Sequence, residues 1–352
     1  MDSAGTTDRS SSRPWSVSAE APAVLRASIV AACDHVGLLF VTDDTADVTV
    51  AVTETSTDDE LAPTRWHVIA HRGASKVASS FDSGDDLAAE AARAALRVLV
   101  QSGALLDEGT VPIVLASYSK SAAPRSGRYF RILAEAERPD HEDWEATVGV
   151  GLERLRQTLQ EDFRTRSVTL WLECTLALAT RAGLVFHDGT GFSIRCETLG
   201  RSLTGAVNSK DSVFDEPVVR VTHDGASAGE VHLLLSASQD VFGLYGKWRW
   251  SPVGVAGRVV HLMPSGGAPS SNVIADTRDV LAWAAVARRA ITAAQRDLNT
   301  EGHAERTTRV FIAGPAAMAV ALGRQLNSLG TVILMDRDKR TDAYIPRFTV
   351  RT

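Results

Sequence analysis

The segment from Val310 to Asp336 holds the residues whose types and spacing best suit ligand binding. An apolar stretch leads into Gly314 and Pro315, and an Ala-rich helical stretch and a second apolar stretch follow. Gly314 permits a sharp turn and a close approach by a ligand, while Pro315 suits the first turn of a helix, where its missing N–H is not needed. The free N–H groups of that helix would point out of the carboxyl edge of a sheet, an arrangement that suits a phosphate group. The same spacing also suits an ordinary tight connection between a strand and a helix.

A second candidate is the sequence KWRW at residues 247–250, which we interpret as part of a strand. On a strand, Trp248 and Trp250 would face one side, and Lys247 and Arg249 would face the other. Indole rings stack on nucleobases and cations hold phosphates, so this stretch suits a nucleotide. Tryptophans at this spacing are also typical of a core or of a subunit interface.

Catalytic and metal-binding patterns do not emerge from the sequence. Neither G-x-G-x-x-G nor G-x-x-x-x-G-K-[ST] occurs, so the usual fingerprints of dinucleotide and nucleoside triphosphate binding are missing. Asp47, Glu54 and Lys76 offer the residue types of a metal nuclease without the spacing of its common motif. His67 and His71 share a face of a predicted strand but would lie about 13 Å apart, too far to bind one metal ion. We therefore predict no catalytic residue, no metal site and no cofactor.

The elements that must position these residues alternate between strand and helix, which is typical of an α/β protein. The helix over 141–160 has one apolar face, made by Trp144, Val148, Leu152, Leu155 and Leu159. Strands are predicted at 37–41, 47–53, 66–71, 111–117, 129–137, 167–173, 192–195, 218–221, 231–237, 259–263, 309–313 and 331–335. Further helices are predicted at 21–32, 85–99, 176–182, 276–299 and 315–328.

One internal similarity indicates a duplication. TLALATRAG at 175–183 and PAAMAVALG at 315–323 both follow an apolar strand, and both place small residues at corresponding positions. The terminal glycines, Gly183 and Gly323, are 323 − 183 = 140 residues apart. Ala-rich helices also match one another by chance, so the preceding strands carry part of this prediction.

Composition excludes several classes of protein. The 352 residues suggest about two domains, and the formal net charge of −6 argues against a general nucleic-acid-binding protein. Three scattered cysteines, Cys33, Cys174 and Cys196, do not form a disulfide framework and are expected to be free thiols. The sequence has no apolar run long enough for a membrane helix, and its polar N-terminus has no signal-peptide core. We therefore expect a cytoplasmic protein that has no membrane partner.

The order and spacing of several segments resemble the SAVED family of sensor domains. These segments are VTLWLECTLALATRAGLVF at 168–186, GEVHLLLSASQDV at 229–241, SNVIADTRDVLAWAAVARRAI at 271–291, and AGPAAMAVALGRQLNSLG at 313–330 followed by YIPRFTV at 344–350. The resemblance covers residue 144 to the C-terminus. Asp336 follows the last predicted strand, where the family more often has an aromatic residue or a glutamate.

The resemblance implies two fused CARF-type, Rossmann-like units that sense a cyclic oligonucleotide second messenger in CBASS or type III CRISPR antiviral defence. Ligand would then meet the strand ends, where hydroxyls and backbone N–H groups bind phosphates and base edges. The implied ligand-binding residues, together with one tryptophan of KWRW, are Thr175, Leu176, Ser236, Ser238, Trp250, Pro264, Ser265, Gly314, Pro315 and Met318.

Three parts of the chain follow from this interpretation: a disordered arm over 1–16, a small α/β module over 17–138 and a SAVED-like sensor over 139–352. The resemblance implies a homo-oligomer that assembles when ligand binds, a separate effector protein as a partner, and no long nucleic acid bound to the sensor. Head-to-tail assembly would bring Lys120, Arg125 and Arg128 of one subunit against Asp336 and Asp338 of the next.

The alternative is an α/β enzyme that acts on a nucleotide through its N-terminal module. VLASYSKSA at 114–122 resembles part of a TIR-type NADase, although it lies late in the chain and the expected glutamate, Glu135, falls in a predicted strand. The nuclease interpretation rests on Asp47, Glu54 and Lys76. The first of these alternatives predicts cleavage of NAD, whereas a sensor would leave both NAD and its own ligand intact.

Overall fold

A computed structural model describes fifteen ranges of the chain, and in them the chain forms strands and helices in a mixed α/β arrangement. The α/β class predicted from the sequence is confirmed. None of the helices within the described ranges is both long and apolar enough to span a membrane. The described residues are 13–42, 46–55, 65–81, 86–102, 109–118, 128–135, 144–162, 166–198, 201–203, 216–223, 229–248, 256–274, 276–303, 306–338 and 341–352.

The elements follow one another in two long runs along the chain. Up to residue 162 they are β1 (Arg13–Pro14), β2 (Ser16–Glu20), α1 (Ala23–His35), β3 (Leu39–Phe40), β4 (Val48–Thr55), β5 (Arg65–Arg72), β6 (Ser75–Phe81), α2 (Leu87–Gln101), β7 (Val111–Ala116), β8 (Arg128–Leu133), a π-helix (Glu145–Gly149) and α3 (Val150–Asp162). After it they are β9 (Ser167–Glu173), α4 (Leu176–Val185), a short 3-10 helix (Asp188–Thr190), β10 (Ser193–Thr198), β11 (Arg201–Leu203), β12 (Val218–His223), β13 (Glu230–Ser236), α5 (Val241–Trp248), β14 (Arg258–Met263), α6 (Thr277–Thr300), β15 (Thr307–Ala313), α7 (Ala316–Gln325), β16 (Thr331–Asp338) and β17 (Ala343–Arg351).

Two compact units divide the chain. The first draws on Met1–Val114, Ser121–Leu133 and Arg154–Trp171, and the second on Leu115–Lys120, Ala134–Glu153 and Leu172–Thr352. These limits do not coincide with a single boundary at residue 138, because the chain crosses between the units several times. The assignment of 17–138 to a separate module and of 139–352 to the sensor stays a prediction.

The first unit contains a five-stranded sheet in the order β3-β2-β4-β5-β6. Strand β2 lies parallel to β3 and β4, whereas β4, β5 and β6 are antiparallel. The predicted alternation in β4 is confirmed, since Val48, Val50 and Val52 are buried. His67 and His71 lie on β5, as expected from the strand prediction. Helix α2 packs against β5 and β6, and its buried face is rich in alanine and leucine.

The carboxylate of Asp47, considered above for a nuclease, is a structural link in the first unit. Its Oδ2 accepts hydrogen bonds from the backbone N–H and the hydroxyl of Ser16, at 3.0 and 2.9 Å. Its Oδ1 accepts from Arg128 at 2.9 Å and from Arg13 at 3.3 Å. Asp47 therefore ties the start of β4 to β1, β2 and β8, and Arg128 is engaged in this pair rather than held out on a free loop.

The expectation of a disordered arm is wrong for residues 13–16. Strand β1 pairs in parallel with β8, and Trp15 is only 2% exposed. The guanidinium groups of Arg72 and Arg128 lie 5.4 and 5.8 Å from its ring centre. Burial of one large aromatic side chain outweighs the polar composition that surrounds it in the sequence. Residues 1–12 of the predicted arm lie outside the described residues.

The second unit is built around a sheet in the order β12-β14-β13-β15-β16-β17. Its four central strands run parallel to one another. Its two outer strands, β12 and β17, run antiparallel to the strands beside them. Parallel strands are covered on both faces, which explains the nearly continuous burial of β13. In the same unit, β10 and β11 form an antiparallel pair.

The predicted strand over KWRW is wrong for Lys247 and Trp248, where a helix takes its place. Lys247 and Trp248 end α5, which begins at Val241. Asp240 accepts a hydrogen bond from the N–H of Phe242 at 2.9 Å, and such a bond favours the start of a helix. The apolar residues Val241 and Tyr245 are spaced four apart and pack in the core beside Phe311. This helical spacing was missed in the sequence. Arg249 and Trp250 lie outside the described residues.

The predicted duplication corresponds to two strand–helix units of the same length. Every bound of β9 and α4 returns 140 residues later as a bound of β15 and α7. The two helices pack against each other, and the residues just before them, Thr175 and Pro315, both have extended backbone. The predicted helix over 141–160 also keeps its buried face, although it is split into a π-helix and α3.

Gly183 and Gly323 lie where α4 and α7 cross. A Cβ atom placed on Gly183 would stand 3.0 Å from the Cα of Gly323 and would overlap the carbonyl oxygen of Val320. A Cβ on Gly323 would overlap the carbonyl oxygen of Thr180 in the same way. Val320 and Thr180 are themselves 140 residues apart. The contact is therefore reciprocal between the two copies, and only glycine permits the backbones to come this close.

We predict that Gly183→Ala lowers the free energy of unfolding by about 2 kcal/mol or more, because backbone atoms cannot move aside as a flexible side chain can. Gly246→Ala, in α5, is the matched control, since nothing lies within 4 Å of a Cβ at that position. Alanine is the better helix former, so the control is expected to be neutral or to stabilise by up to about 1 kcal/mol. Urea denaturation of both variants measures this difference. Equal stability of Gly183→Ala and the wild type would contradict the close helix crossing.

Glu230 organises a buried polar network at the start of β13. Its carboxylate accepts hydrogen bonds from Arg309 at 2.6 and 3.2 Å, and its Oε2 lies 3.2 Å from Nε2 of His232. Nδ1 of His232 lies 2.8 Å from the hydroxyl of Tyr245 on α5. Burial raises the pKa of Glu230, but the hydrogen bonds and charges of His232 and Arg309 outweigh it and lower the pKa to about 2.

We predict that Glu230→Gln destabilises the protein by about 1.5–3 kcal/mol at neutral pH, the usual range for a hydrogen bond to a charged group. Because the pKa of Glu230 is lowered on folding, its contribution is complete above its ordinary value of 4.5 and is lost as the pH falls toward about 2. The difference between wild type and variant should therefore shrink over that interval. Glu216→Gln, which removes one partner of an exposed ion pair with Arg289, is expected to change little. A difference that is independent of pH would refute this assignment.

Candidate ligand-binding site

The carboxyl ends of the parallel strands in the second unit meet at one edge, where open α/β sheets commonly bind their ligands. Helix α5 follows β13 and helix α7 follows β15 at this edge. Thr175 begins α4, and its hydroxyl accepts a hydrogen bond from the N–H of Leu178. Pro315 begins α7, and its carbonyl accepts from the N–H of Met318 at 3.0 Å.

A cavity of about 610 Å³ opens at this edge. All of its lining residues belong to the second unit. They come from the turn after β7, the turn after β9 with the start of α4, the turn after β13 with the first half of α5, the end of β15 with Gly314, and the strands β16 and β17. They are Tyr118, Cys174, Thr175, Leu176, Ser238, Gln239, Asp240, Val241, Leu244, Ile312, Ala313, Gly314, Met335, Asp336, Arg337, Asp338, Tyr344 and Arg347. The turns before α4 and α7, the two duplicated helices, thus line the same cavity.

Arg347 is a buried cation on the wall of the cavity. It lies on β17 and is 8% exposed, and its guanidinium carbon stands 4.3 Å from the ring centre of Trp144. Trp144 in turn meets the ring of Phe348 edge to face at 5.6 Å. This stack holds the guanidinium in one orientation, so the arrangement suits the recognition of a phosphate group or another anion.

Two neutral polar side chains, those of Tyr344 and Cys174, also line the cavity. Burial raises the pKa of Tyr344 to about 12; the charge of Arg337 opposes this effect, and the charge of Asp336 adds to it. The Tyr344 hydroxyl therefore keeps its proton at neutral pH and is able to donate it in a hydrogen bond. Burial likewise raises the pKa of the Cys174 thiol, which makes it a poor nucleophile. The three cysteines are free, as predicted.

Behind the cavity, Ser236 and His261 fix the start of α5. The hydroxyl of Ser236 lies 2.9 Å from Nε2 of His261 and accepts a hydrogen bond from the N–H of Val241 at 2.9 Å. The His261 ring stacks on Phe242 at 5.4 Å, and burial lowers the pKa of His261. Ser236 is fully buried, so this serine–histidine pair positions the helix and is not exposed to a substrate.

The structure brings together four of the ten predicted site residues on the cavity wall: Thr175, Leu176, Ser238 and Gly314. Ser236 and Met318 are fully buried behind it, and Pro315 lies next to Gly314 at the start of α7. Pro264 and Ser265, which follow β14, are not among the lining residues. Trp250 lies outside the described residues. Their roles in binding stay predictions.

At Gly314 in the predicted Gly-Pro turn, a Cβ atom would overlap the terminal methyl group of Met318. Pro315 lies one position before the first helical residue, where its extended backbone starts the helix. The predicted strand over 331–335 ends before Asp336. In the structure Asp336 lies within β16, which continues to Asp338 and pairs with β17.

Sequence reasoning missed the charged and aromatic wall of the cavity, which includes Tyr118, Asp240, Tyr344 and Arg347. The sequence YIPRFTV contributes to the family resemblance but does not by itself show which of its side chains face the cavity. Arg347 and Phe348 are adjacent and both buried, because a register shift near Met335 interrupts the strand alternation. Asp240 could have been predicted as a lining residue, because it follows the polar end of β13 and precedes an amphipathic stretch. Among the described residues, no group of three or more histidine, cysteine or acidic side chains is arranged to hold a metal ion.

Comparisons with known proteins identify the family and the fold. Residues 152–350, more than half of the chain, match the SAVED family, described as the SMODS-associated and fused to various effectors sensor domain. No curated protein sequence matches the chain.

Two solved structures of one receptor have a similar fold. Both are the Acinetobacter baumannii Cap4 SAVED/CARF-domain containing receptor, one with the cyclic trinucleotide 3'3'3'-cAAA and one with 2'3'3'-cAAA. The first is 15% identical, with a TM-score of 0.53, and the match covers 76% of this chain and 60% of that chain. The second is 14% identical, with a TM-score of 0.53, and covers 76% and 59%. This chain thus spans about 60% of the length of that receptor.

Proposed function

The chain belongs to the SAVED family of sensor domains, and from this premise we propose that the cavity of its second unit binds a cyclic oligonucleotide in antiviral signalling. The observation that carries the proposal is the cavity itself, which the turns of both duplicated strand–helix units line together. Its volume of about 610 Å³ lies within the usual range for small-ligand sites. The Cap4 receptor with the same fold was solved with cyclic trinucleotides, which supports the same class of ligand here.

The proposed contacts divide according to their chemistry. Arg347 would hold a phosphate, because its guanidinium is oriented by Trp144 and presents several parallel donors. The hydroxyls of Thr175 and Ser238 and the backbone at Gly314 would contact the sugar–phosphate ring. This assignment uses a single buried arginine rather than a large basic surface, consistent with the net charge of −6.

We predict that Gly314→Arg abolishes binding. The new Cβ would displace the methyl group of Met318, and the guanidinium, which is costly to bury without a partner, would extend into the cavity that Gly314 lines. Ligand at 100 times its dissociation constant should stabilise the wild-type protein by about 2.7 kcal/mol, and this stabilisation should vanish in the variant. The matched control is Gly266→Arg, which adds the same side chain at an exposed position with nothing within 4 Å. A panel of cyclic di-, tri- and tetranucleotides is screened by thermal shift and isothermal calorimetry.

We expect Gly314→Arg to fold, because only the flexible side chain of Met318 has to move aside. A loss of binding would then not result from unfolding. Circular dichroism and unfolding without ligand check that Gly314→Arg is folded. A folded variant that binds as tightly as the Gly266→Arg control would place the ligand elsewhere. No stabilisation by any ring in the wild-type protein would overturn the proposed function itself.

The competing function is an enzyme that acts on a nucleotide, either a TIR-like NADase or a nuclease. Asp47, one of its candidates, is occupied by Ser16, Arg13 and Arg128. Incubation with NAD or with the cognate ring, followed by chromatography, separates the two functions. We propose that both molecules are recovered intact and that the first unit is an interaction or effector module.

We also propose that ligand binding changes the assembly state. A sensor with two unlike halves offers different faces to its neighbours, and head-to-tail contacts build rings or filaments. The predicted contact between basic residues of one subunit and Asp336 and Asp338 of the next needs revision. Arg128 forms an ion pair with Asp47 of its own chain, and Asp336 and Asp338 line the cavity. Lys120 and Arg125 lie outside the described residues.

Coupling requires that ligand bind the assembled form more tightly, since equal affinity for both forms shifts nothing. Sedimentation velocity and light scattering should therefore show larger particles of the wild-type protein when the cognate ring is added. Gly314→Arg should stay at its starting size, and Gly266→Arg should grow like the wild type. An unchanged particle size at saturating ligand would exclude assembly and leave a change within one chain or a separate effector protein as the output.

A further inference from the structure

Carboxylates are prominent in a cavity that we have proposed for a polyanion. Asp240, Asp336 and Asp338 line it, together with the cations Arg337 and Arg347. Arg337 forms an ion pair with Asp342, with donor–acceptor distances of 3.0 and 2.6 Å. Among the described lining residues, three carboxylates therefore stand against two guanidinium groups.

Phosphates cannot lie against these carboxylates, because like charges at short range oppose binding. The phosphates of a ring would gather at Arg347, and the carboxylates would face parts of the ligand that donate hydrogen bonds. An ionised carboxylate only accepts hydrogen bonds, through two oxygens in one plane. Within a cyclic oligonucleotide, base edges are the groups that present donors side by side in a plane.

Asp336 is the carboxylate best placed to read a base. It lies within β16, just after the register shift between Leu334 and Met335, and its Oδ1 accepts the backbone N–H of Arg337 at 3.0 Å, which orients the group. Met335 and Leu244 supply apolar wall nearby, where hydrogen bonds are stronger than in water. Asp240 accepts the N–H of Phe242 at the start of α5, and Asp338 lies at the end of β16, where it accepts from Thr341.

Resting on the proposed function, we infer that Asp336 selects a ring that contains guanine. The Watson–Crick edge of guanine carries N1–H and the N2 amino group next to each other, so it offers two donors to one carboxylate. Adenine offers a single amino group beside an acceptor nitrogen, which would face the carboxylate without a proton. The inference names a different base from the adenines of the cyclic trinucleotides seen with the Cap4 receptor.

The test compares rings of one size and linkage that differ only in base. Cyclic tri-adenylate, the ring with one guanosine in place of an adenosine, and its inosine analogue are titrated calorimetrically into the full chain, with cyclic dinucleotides of the same bases in parallel. The guanosine ring is expected to bind at least about tenfold more tightly than the adenosine ring, because it adds a charge-assisted hydrogen bond. Inosine, which lacks the N2 amino group, should fall between them.

Asp336→Asn provides the sharper measurement. A carboxamide has one donor and one acceptor, the pattern that pairs with adenine, so the preference should reverse toward the adenosine ring. Asp297→Asn is the matched control, because it makes the same change of charge at an exposed position on α6 outside the cavity. It should leave the preference unchanged.

The outcomes separate this inference from the proposed function. Equal binding of adenosine and guanosine rings, or a guanosine preference that Asp336→Asn leaves intact, would overturn the inference while the cyclic-oligonucleotide function stands. Binding of no ring of any base would overturn both. A uniform loss of affinity for all rings in Asp336→Asn would assign Asp336 to general cavity structure and would also reject base selection.

Discussion

The close crossing of α4 and α7 at Gly183 and Gly323 is the constraint on which the second unit depends. Each glycine admits a carbonyl oxygen of the other helix, Val320 for Gly183 and Thr180 for Gly323. The two glycines, the two carbonyl groups and the bounds of the strands and helices are all related by the same offset of 140 residues. Two copies of one strand–helix unit therefore meet through the same surface. The turns that lead into both helices line one cavity.

The remaining walls of this cavity come from elements outside the duplication, and they give it a chemical asymmetry. Strand β17 brings Arg347, which is stacked on Trp144 and hidden from solvent. Strand β16 and the start of α5 bring carboxylates instead. The cavity therefore has a cation on one wall and hydrogen-bond acceptors on another, so a pseudo-symmetric scaffold encloses a chemically asymmetric cavity.

In the first unit, polar side chains serve the fold. Asp47 has the residue type of a catalytic carboxylate, yet it joins the start of β4 to three other strands through Ser16, Arg13 and Arg128. In the second unit, Glu230 is used in the same manner by Arg309 and His232. Buried carboxylates need such partners, because an unpaired charge away from water is costly.

Local pattern was sufficient to predict β9 at residues 167–173, the long helix α6 and the 140-residue repeat, since strand alternation, helix periodicity and repeated spacing are read over neighbouring residues. The tertiary structure alone decided that Trp15 is buried, that residues 241–248 form a helix, and that Arg347, Tyr344 and Asp240 share a cavity with Thr175. These features depend on contacts between residues far apart in the chain, and such contacts override local composition because burial and hydrogen-bond satisfaction are properties of the whole fold.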